Sequence, residues 1–216
     1  MARLNAATHG ATRVGAISSG GAVLPVVFAQ LGWTPDSVLD VGCGEGHWLA
    51  AARRLTPGRG KPVTLGLDVD PDIAGGAKLW DAERKGAKLP LNEDERWRLT
   101  FCLEVAEHVS PLAGDRLVRE LCRVSDYVLW SAAIPGQGGD GHVNEQPPAY
   151  WAKRFEREGW HLRDAFRLSL WNDNRIAPWY RQNLLLAGPG PHAEHPPLYV
   201  VHPLVWEARV FGARWP

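Results

Sequence analysis

The sequence predicts an α/β three-layer sandwich: a seven-stranded, mostly parallel sheet with helices on both faces and a C-terminal antiparallel hairpin. Three observations predict it. Short apolar runs of strand length alternate with helix-length segments along most of the chain, which implies parallel strands joined by right-handed crossovers. A glycine-rich loop, Gly42-Cys43-Gly44-Glu45-Gly46, separates the first such strand from the helix after it. The last two strand candidates lie close together across a polar turn, the arrangement of an antiparallel edge.

The elements follow in order. Residues 1–20 are small and polar with several glycines and read as a flexible N-terminal arm. Residues 22–31 (AVLPVVFAQL) are apolar enough to start a helix, with Pro25 near its beginning. Residues 37–41 (SVLDV) form a buried strand and 47–55 (HWLAAARRL) a helix. After a Pro/Gly loop at 56–62, residues 63–69 (VTLGLDV) form a second strand and 71–79 open a helix. Residues 81–96 are charged and irregular. A strand at 98–103 precedes a helix at 111–123, whose apolar positions are Leu112, Leu117, Val118, Leu121 and Cys122. A strand at 126–133 leads into a glycine-rich loop at 135–146 and an amphipathic helix at 147–159 that ends on Gly159. Residues 166–171 and 182–187 are the closing strands. The domain therefore spans 21–190, and 191–216 form a Pro-rich extension around one apolar stretch, 198–206.

Composition narrows the function. The 216 residues suit one large α/β domain with a full core. Lysine plus arginine and aspartate plus glutamate each number 24, so the formal charge is zero, which argues against a broad grip on a long polyanion. Cys43, Cys102 and Cys122 are odd in number and far apart, against a disulfide framework or a thiolate zinc site, and a reducing cytoplasm is the expected home. No segment has the apolar core of a signal peptide or the length of a membrane span. Tryptophan is abundant, eleven in all, and indole offers large apolar area with one donor.

The most informative motif is VLDVGCGEGHWL at 38–49. Gly42, Gly44 and Gly46 let the backbone turn tightly and let a ligand approach without Cβ clashes. Their spacing is GxGxG; the third glycine of the dinucleotide pattern would stand at position 47, which is His47. A diphosphate cradle and a nicotinamide-dependent oxidoreductase are thereby disfavoured. Asp40, just before the glycines, suits a ligand carrying an amino group better than one carrying phosphates. Asp68 ends the next strand, 24 residues after Gly44, where a carboxylate can accept from both ribose hydroxyls. Tight turning of strand into helix is the alternative use of the glycines.

A second motif, CLEVAEHV at 102–109, follows a strand and so reaches the same sheet edge. In a helical turn Glu104, Glu107 and His108 would share a face at i, i+3 and i+4. Two carboxylates so close, without a cation, raise each other's pKa. One resolution is a divalent metal held by Glu104, Glu107, His108 and, from the glycine-rich loop, His142; mixed oxygen and nitrogen ligands suit manganese, iron, cobalt or zinc better than magnesium. A second is general-base catalysis by His108. A third is local capping by Glu107 and packing of His108. Trp151 and Phe155 are expected to bury one helix face, and residues 179–183 (WYRQN) either line a pocket or pack an edge strand. His192, His195 and His202, among prolines, show no ligand spacing.

On VLDVGCGEG and GLDVD the sequence resembles the class I S-adenosylmethionine-dependent methyltransferases, which implies a Rossmann-like domain and S-adenosylmethionine as cofactor. The resemblance implies that Gly42, Gly44 and Gly46 shape the pocket, that Asp68 binds the ribose and that Asp81 lies near the adenine amino group. Asp40 and Glu104 are counted with this cofactor pocket. EVAEH is similar to a pattern in the ubiquinone-biosynthesis O-methyltransferases and the small-RNA 2′-O-methyltransferases; in the latter, ExxEH plus a later histidine binds metal, here Glu104, Glu107, His108 and His142. AAIPGQGG, GHVNEQ and WYRQN resemble small bacterial and phage methyltransferases. The expected activity is O-methylation of a small molecule or sugar, with His108 and Glu107 as catalytic residues and metal assistance. Nucleic acid is a less favoured partner and no membrane is expected. An RNA-end 2′-O-methyltransferase and a non-catalytic S-adenosylmethionine-binding protein are the alternatives.

Overall fold

The computed structural model describes residues 6–56, 61–70, 77–189 and 197–212, and within them the side chains from 15 onward. A seven-stranded sheet runs through it in the order β3-β2-β1-β4-β5-β7-β6. The strands are β1 (Ser37–Val41), β2 (Val63–Asp68), β3 (Lys78–Leu79), β4 (Leu99–Leu103), β5 (Val128–Ser131), β6 (His161–Arg163) and β7 (Leu185–Gly188). The first five are mutually parallel, whereas β7 is antiparallel to both β5 and β6. The helices are α1 (Ala6–Leu31), α2 (His47–Leu55), α3 (Pro111–Val124), α4 (Pro148–Arg157), α5 (Arg167–Leu170), α6 (Pro178–Asn183) and α7 (Pro203–Phe211).

Period-2 alternation sends strand side chains to opposite faces, and each face has its own core. Leu39, Val41, Cys102, Val128 and Trp130 pack toward α3 and α4 with Leu117, Leu121, Trp151 and Phe155. Val38, Leu99, Phe101, Leu103 and Leu129 pack toward α1, α2 and α6 with Leu24, Phe28, Trp48 and Tyr180. Aromatic edges knit both layers: Trp130 meets Trp151 and Phe155 with ring centroids 5.2 Å apart, and Trp48 meets Tyr180 at 5.1 Å. Much of the tryptophan content is thus core, as burial of indole area favours.

Several elements differ from the sequence expectation. The segment read as a flexible arm is helical from Ala6, so Pro25 lies well inside α1 rather than near its start. Small residues explain the close packing of that helix: Gly20 faces Ala51 and Trp48, Gly15 faces Trp179, and Ser19 Oγ accepts from the Ala177 amide at 2.9 Å. Tertiary packing here overrides the weak helix propensity of glycine and proline. The strand expected at 166–171 is instead the helical turn α5, closed by Ser169 and Leu170 amides on the Phe166 carbonyl. Its apolar–polar alternation misleads because Arg167 is buried, donating to Gln182 O, Leu198 O and Asp164. The outer antiparallel neighbour of β7 is therefore β6, with β5 on its other side, and α5 and α6 lie between β6 and β7 in the chain. Leu112, one of the apolar positions of α3, is 68% exposed. Of the helix expected at 71–79, residues 71–76 lie outside the described residues and Lys78–Leu79 form the edge strand β3. His192 and His195 also lie outside the described residues, as do 57–60 of the Pro/Gly loop.

Phe155 anchors α4 on the sheet, and its truncation to alanine is expected to cost about 3–5 kcal/mol. Urea unfolding measures this; a loss under about 1 kcal/mol would contradict the packing described.

Candidate active site

Parallel strands deliver their carboxyl ends to one edge of the sheet, and the loops that follow β1, β2 and β4 meet there. After Val41 the chain hooks over the end of β2: the amides of Gly42 and Cys43 both donate to Leu67 O, at 2.8 and 3.1 Å. Gly42 has φ 79°, and a Cβ at that position would stand 2.3 Å from the Val105 side chain. No larger residue fits between the tips of β1 and β4. Gly44 and Gly46 adopt φ 49° and 77° with open space where a Cβ would stand, so the loop presents bare backbone to the crevice. The Gly44 amide donates to Asp68 Oδ2 at 2.8 Å, and Asp68 Oδ1 accepts from the Asp70 amide at 3.0 Å. The acid on β2 is thereby drawn into the glycine loop. Asp81 follows β3, where its Oδ1 accepts from the Glu83 amide at 2.8 Å.

Asp40 is buried, with Oδ2 unpartnered. Burial first, and the nearby Asp68 charge second, push its pKa up to about 8. Cys43 is pushed up to about 12 by burial and by Asp40 and Asp68, so it is an inert thiol, not a nucleophile.

The acid–histidine segment is not one continuous helical face. Glu104 leaves β4 with φ 55°, the one non-glycine positive φ among the described residues, and only Ala106–His108 make a 3-10 turn. The Glu104 carboxylate accepts from Gln137 Nε2 and Asn183 Nδ2, each at 3.2 Å. Burial raises its pKa, opposed by hydrogen bonds from Asn183, Ser131 and Gln137. Glu107 is 0% exposed, and neither carboxylate oxygen has a hydrogen bond of good geometry. Burial, then the Glu104 charge, raises its pKa well above the usual range; the amides of Glu107 and Ala133 offset this only in part.

Backbone bonds carry His142 to this turn. The Val143 and Asn144 amides donate to Glu107 O at 2.8 and 3.0 Å. Ligating atoms of Glu107, His108 and His142 lie within 4.8 Å of one another, and the two imidazoles meet edge-on with centroids 4.8 Å apart. Glu104 stands beside this trio but outside it, turned to its amide partners. His142 Nδ1 is 2.8 Å from Glu145 Oε1. Glu145 also accepts from the Gly136 and Gly138 amides; although burial opposes them, these bonds hold its carboxyl below the ordinary range. Burial, and then the neighbouring His142, lowers His108 to about 4. An orphaned buried carboxylate facing two imidazoles is a donor set that fits a divalent cation, and a carboxylate behind His142 has the orienting geometry common around metal-bound histidine.

The sequence does not mark Gln137 or Glu145 individually as site residues, whereas Gln182 and Asn183 lie in the 179–183 stretch read as pocket lining or edge packing. Glu145 carried a faint signal, its i+3 spacing from His142. Gln137 carried none, because its partners lie 33, 45 and 46 residues away.

The raised Asp40 pKa has a measurable sign. The folded state holds this proton more tightly than the unfolded chain, so the associated stability is fully present below about pH 4 and lost as pH rises through about 8. Urea unfolding of wild type should therefore show stability falling across that interval, and Asp40→Asn should flatten the fall. Parallel profiles for the two proteins would contradict the assignment.

No protein-family model matches the sequence, and no curated protein matches it. Solved structures do. Magnesium protoporphyrin IX methyltransferase from Synechocystis PCC 6803 with bound SAH superposes with TM-score 0.61 at 15% identity, covering 88% of this chain and 90% of that one. The sugar N-methyltransferase KedS8 from Streptoalloteichus gives 0.56 at 14% identity, covering 81% and 87%. A SAM-dependent methyltransferase from Archaeoglobus fulgidus gives 0.51 at 18%, covering 67% and 72%. With its seven-stranded order and its glycine loop after the first strand, the chain has the fold of the SAM-dependent methyltransferases.

Proposed function

We propose that this protein is an S-adenosylmethionine-dependent methyltransferase acting on an acceptor hydroxyl, with a divalent metal bound by Glu107, His108 and His142. The observation that carries the reading is the facing of two sites at one sheet edge. The glycine cradle with its Asp68 clasp lies on β1 and β2, and the acid–histidine trio lies past β4, with Gly42 against Val105 between them. Solved neighbours with bound SAH and SAM add support from the fold.

The cradle accounts for the donor. Bare backbone at Gly44 and Gly46 accommodates the nucleoside, Asp68 accepts from its ribose hydroxyls, Asp81 lies on the adenine side, and Asp40 offers its unpartnered oxygen to a cationic group. The sulfonium is intrinsically electrophilic, so the protein's main contribution is alignment, an effect that can supply about 7–11 kcal/mol. The trio accounts for the acceptor. A histidine held at about 4 is neutral at physiological pH, hence free as a ligand but a weak proton acceptor, because a general base works best with a pKa near the operating pH. That comparison favours metal ligation over simple base catalysis. A divalent ion there would act as a Lewis acid on the acceptor hydroxyl. Glu107, which burial holds toward its protonated form, would give up its proton and supply the negative charge to such an ion, His142 would be the third ligand, and Glu145 fixes the ring of His142.

The balanced charge of the chain favours a compact acceptor, a small molecule or sugar, over a long polyanion. A terminal ribose 2′-hydroxyl of RNA presents the same chemistry, and a methyl-transfer assay on sugars, small hydroxylated metabolites and RNA ends separates the two.

Calorimetric titration tests the donor site: S-adenosylmethionine and S-adenosylhomocysteine should bind and NAD should not, and Asp68→Ala should weaken binding by about 10–100-fold. Unchanged affinity in that variant would contradict the pocket. Metal analysis of the purified protein should find a divalent ion that Glu107→Ala loses, with His108→Ala sparing donor affinity while cutting turnover by about 100-fold or more. Activity indifferent to chelators would remove the metal.

A further inference from the structure

The hydrogen bonds around Glu104 form a one-way chain. It starts at a donor that cannot reverse, the backbone amide of His202, which donates to Gln182 Oε1 at 2.8 Å. The Gln182 carboxamide is thereby oriented, and its Nε2 donates to Gln137 Oε1 at 2.8 Å and to Asn183 Oδ1 at 3.0 Å. Asn183 Nδ2 also donates to Gln137 Oε1, at 2.9 Å. With both oxygens occupied as acceptors, Gln137 and Asn183 have only N–H groups left to aim at Glu104, and each does so at 3.2 Å. A side-chain amide is ambiguous by itself; here a main-chain donor at the start of α7 decides the direction of every bond down to the tip of β4.

Glu104 stands in an acidic row. Asp68, Asp40, Glu104 and Glu107 follow one another along the tips of β2, β1 and β4, and among the described residues no lysine or arginine pairs with any of them. The side chain of Val105, the residue after Glu104, stands where a Cβ on Gly42 would be, so this member of the row lies beside the glycine loop. A polar chain that points donors at one member of such a row keeps it an acceptor for a cation arriving from the crevice.

We propose that Gln137, Gln182 and Asn183 are positioning residues that fix Glu104 as an acceptor, and that Glu104 uses its charge to discriminate the sulfonium methyl donor from the neutral thioether product. The inference rests on the methyltransferase reading above and assigns one device within it. Charge balance explains its use. When the methyl carbon bonds to the acceptor oxygen, the hydroxyl proton leaves to water, the electron pair of the S–CH3 bond stays on sulfur, and the sulfonium charge disappears. Donor and product share amino acid, ribose and adenine, so a carboxylate at this position is the feature that separates them. Loss of the charge weakens the hold on the spent molecule and favours its exchange for fresh donor.

The test is a ratio. S-adenosylmethionine and S-adenosylhomocysteine are titrated by calorimetry into the full-length wild type, Glu104→Gln, Gln137→Leu and Gln182→Met, the last keeping side-chain length. The preference for sulfonium over thioether should fall by about tenfold in Glu104→Gln, within what a single charge–charge contact near a protein surface supplies, and by a smaller, same-direction factor in the two glutamine variants. A purely structural role would weaken both ligands equally, and an unchanged ratio in Glu104→Gln, or in Gln182→Met if Gln137→Leu does not fold, overturns the proposal. Wild type that binds neither compound overturns the methyltransferase reading itself, a distinct result.

Discussion

Buried carboxylates without cations are the constraint around which this sheet edge is organised. Asp40 and Glu107 each keep unpartnered oxygens inside the protein, where desolvation disfavours charge, and each is made worse by a neighbouring acid. A fold selected for stability alone has cheaper residues for these positions, because removing a buried charge and its cavity polarity together is often neutral or stabilising. Their presence is rational where something positive comes to them. The glycine cradle, the left-handed Glu104, the amide chain behind it and the histidine pair all surround these acids, and together they satisfy part of the electrostatic demand and leave part open to the crevice.

The loops are ordered by the same groups. Glu107 contributes twice: its side chain faces the imidazoles, while its carbonyl receives the Val143 and Asn144 amides and so sets the position of His142. Glu145 then gathers the Gly136 and Gly138 amides around the His142 ring, which turns a glycine-rich loop into a held one. On the far side of the turn, Ser110 caps α3 through the Ala113 amide with Pro111 in the first helical turn, and its hydroxyl and amide both reach Glu83. The 3-10 turn bearing Glu107 and His108 is therefore fixed from both ends, by the glycine-rich loop and by the start of α3.

The sequence carried the parts of this architecture that rest on local pattern. The runs at 37–41 and 47–55 match β1 and α2 residue for residue, because a fully buried strand and an amphipathic helix each leave a period that needs no distant partner. The glycines and Asp68 were readable for the same reason: conformational freedom and a carboxylate at a strand end are visible in the residues themselves. What escaped depends on distance. β6 has three residues and takes its identity from pairing with β7. α1 extends across a region of glycines because Trp48 and Trp179 need close neighbours. The bonds on Glu104 join positions 104, 137, 182, 183 and 202, and its positive φ breaks the helical face that i, i+3 and i+4 spacing implied.

Chain-wide neutrality and a locally acidic site fit together physically. With 24 acidic and 24 basic residues the molecule has no net monopole to steer a ligand over long range. Fields from exposed charges fade over a Debye length of about 8–10 Å at physiological salt, while those among buried groups are screened far less. In the proposed reading, recognition of charge is consequently a contact-range event, decided after a ligand has entered the crevice and displaced its water. The surface pairs, such as Arg175 with Asp173 or Arg98 with Asp126, contribute little to that decision. The buried acids would carry it, because a single positive charge placed among them would relieve a desolvation penalty the fold has already incurred.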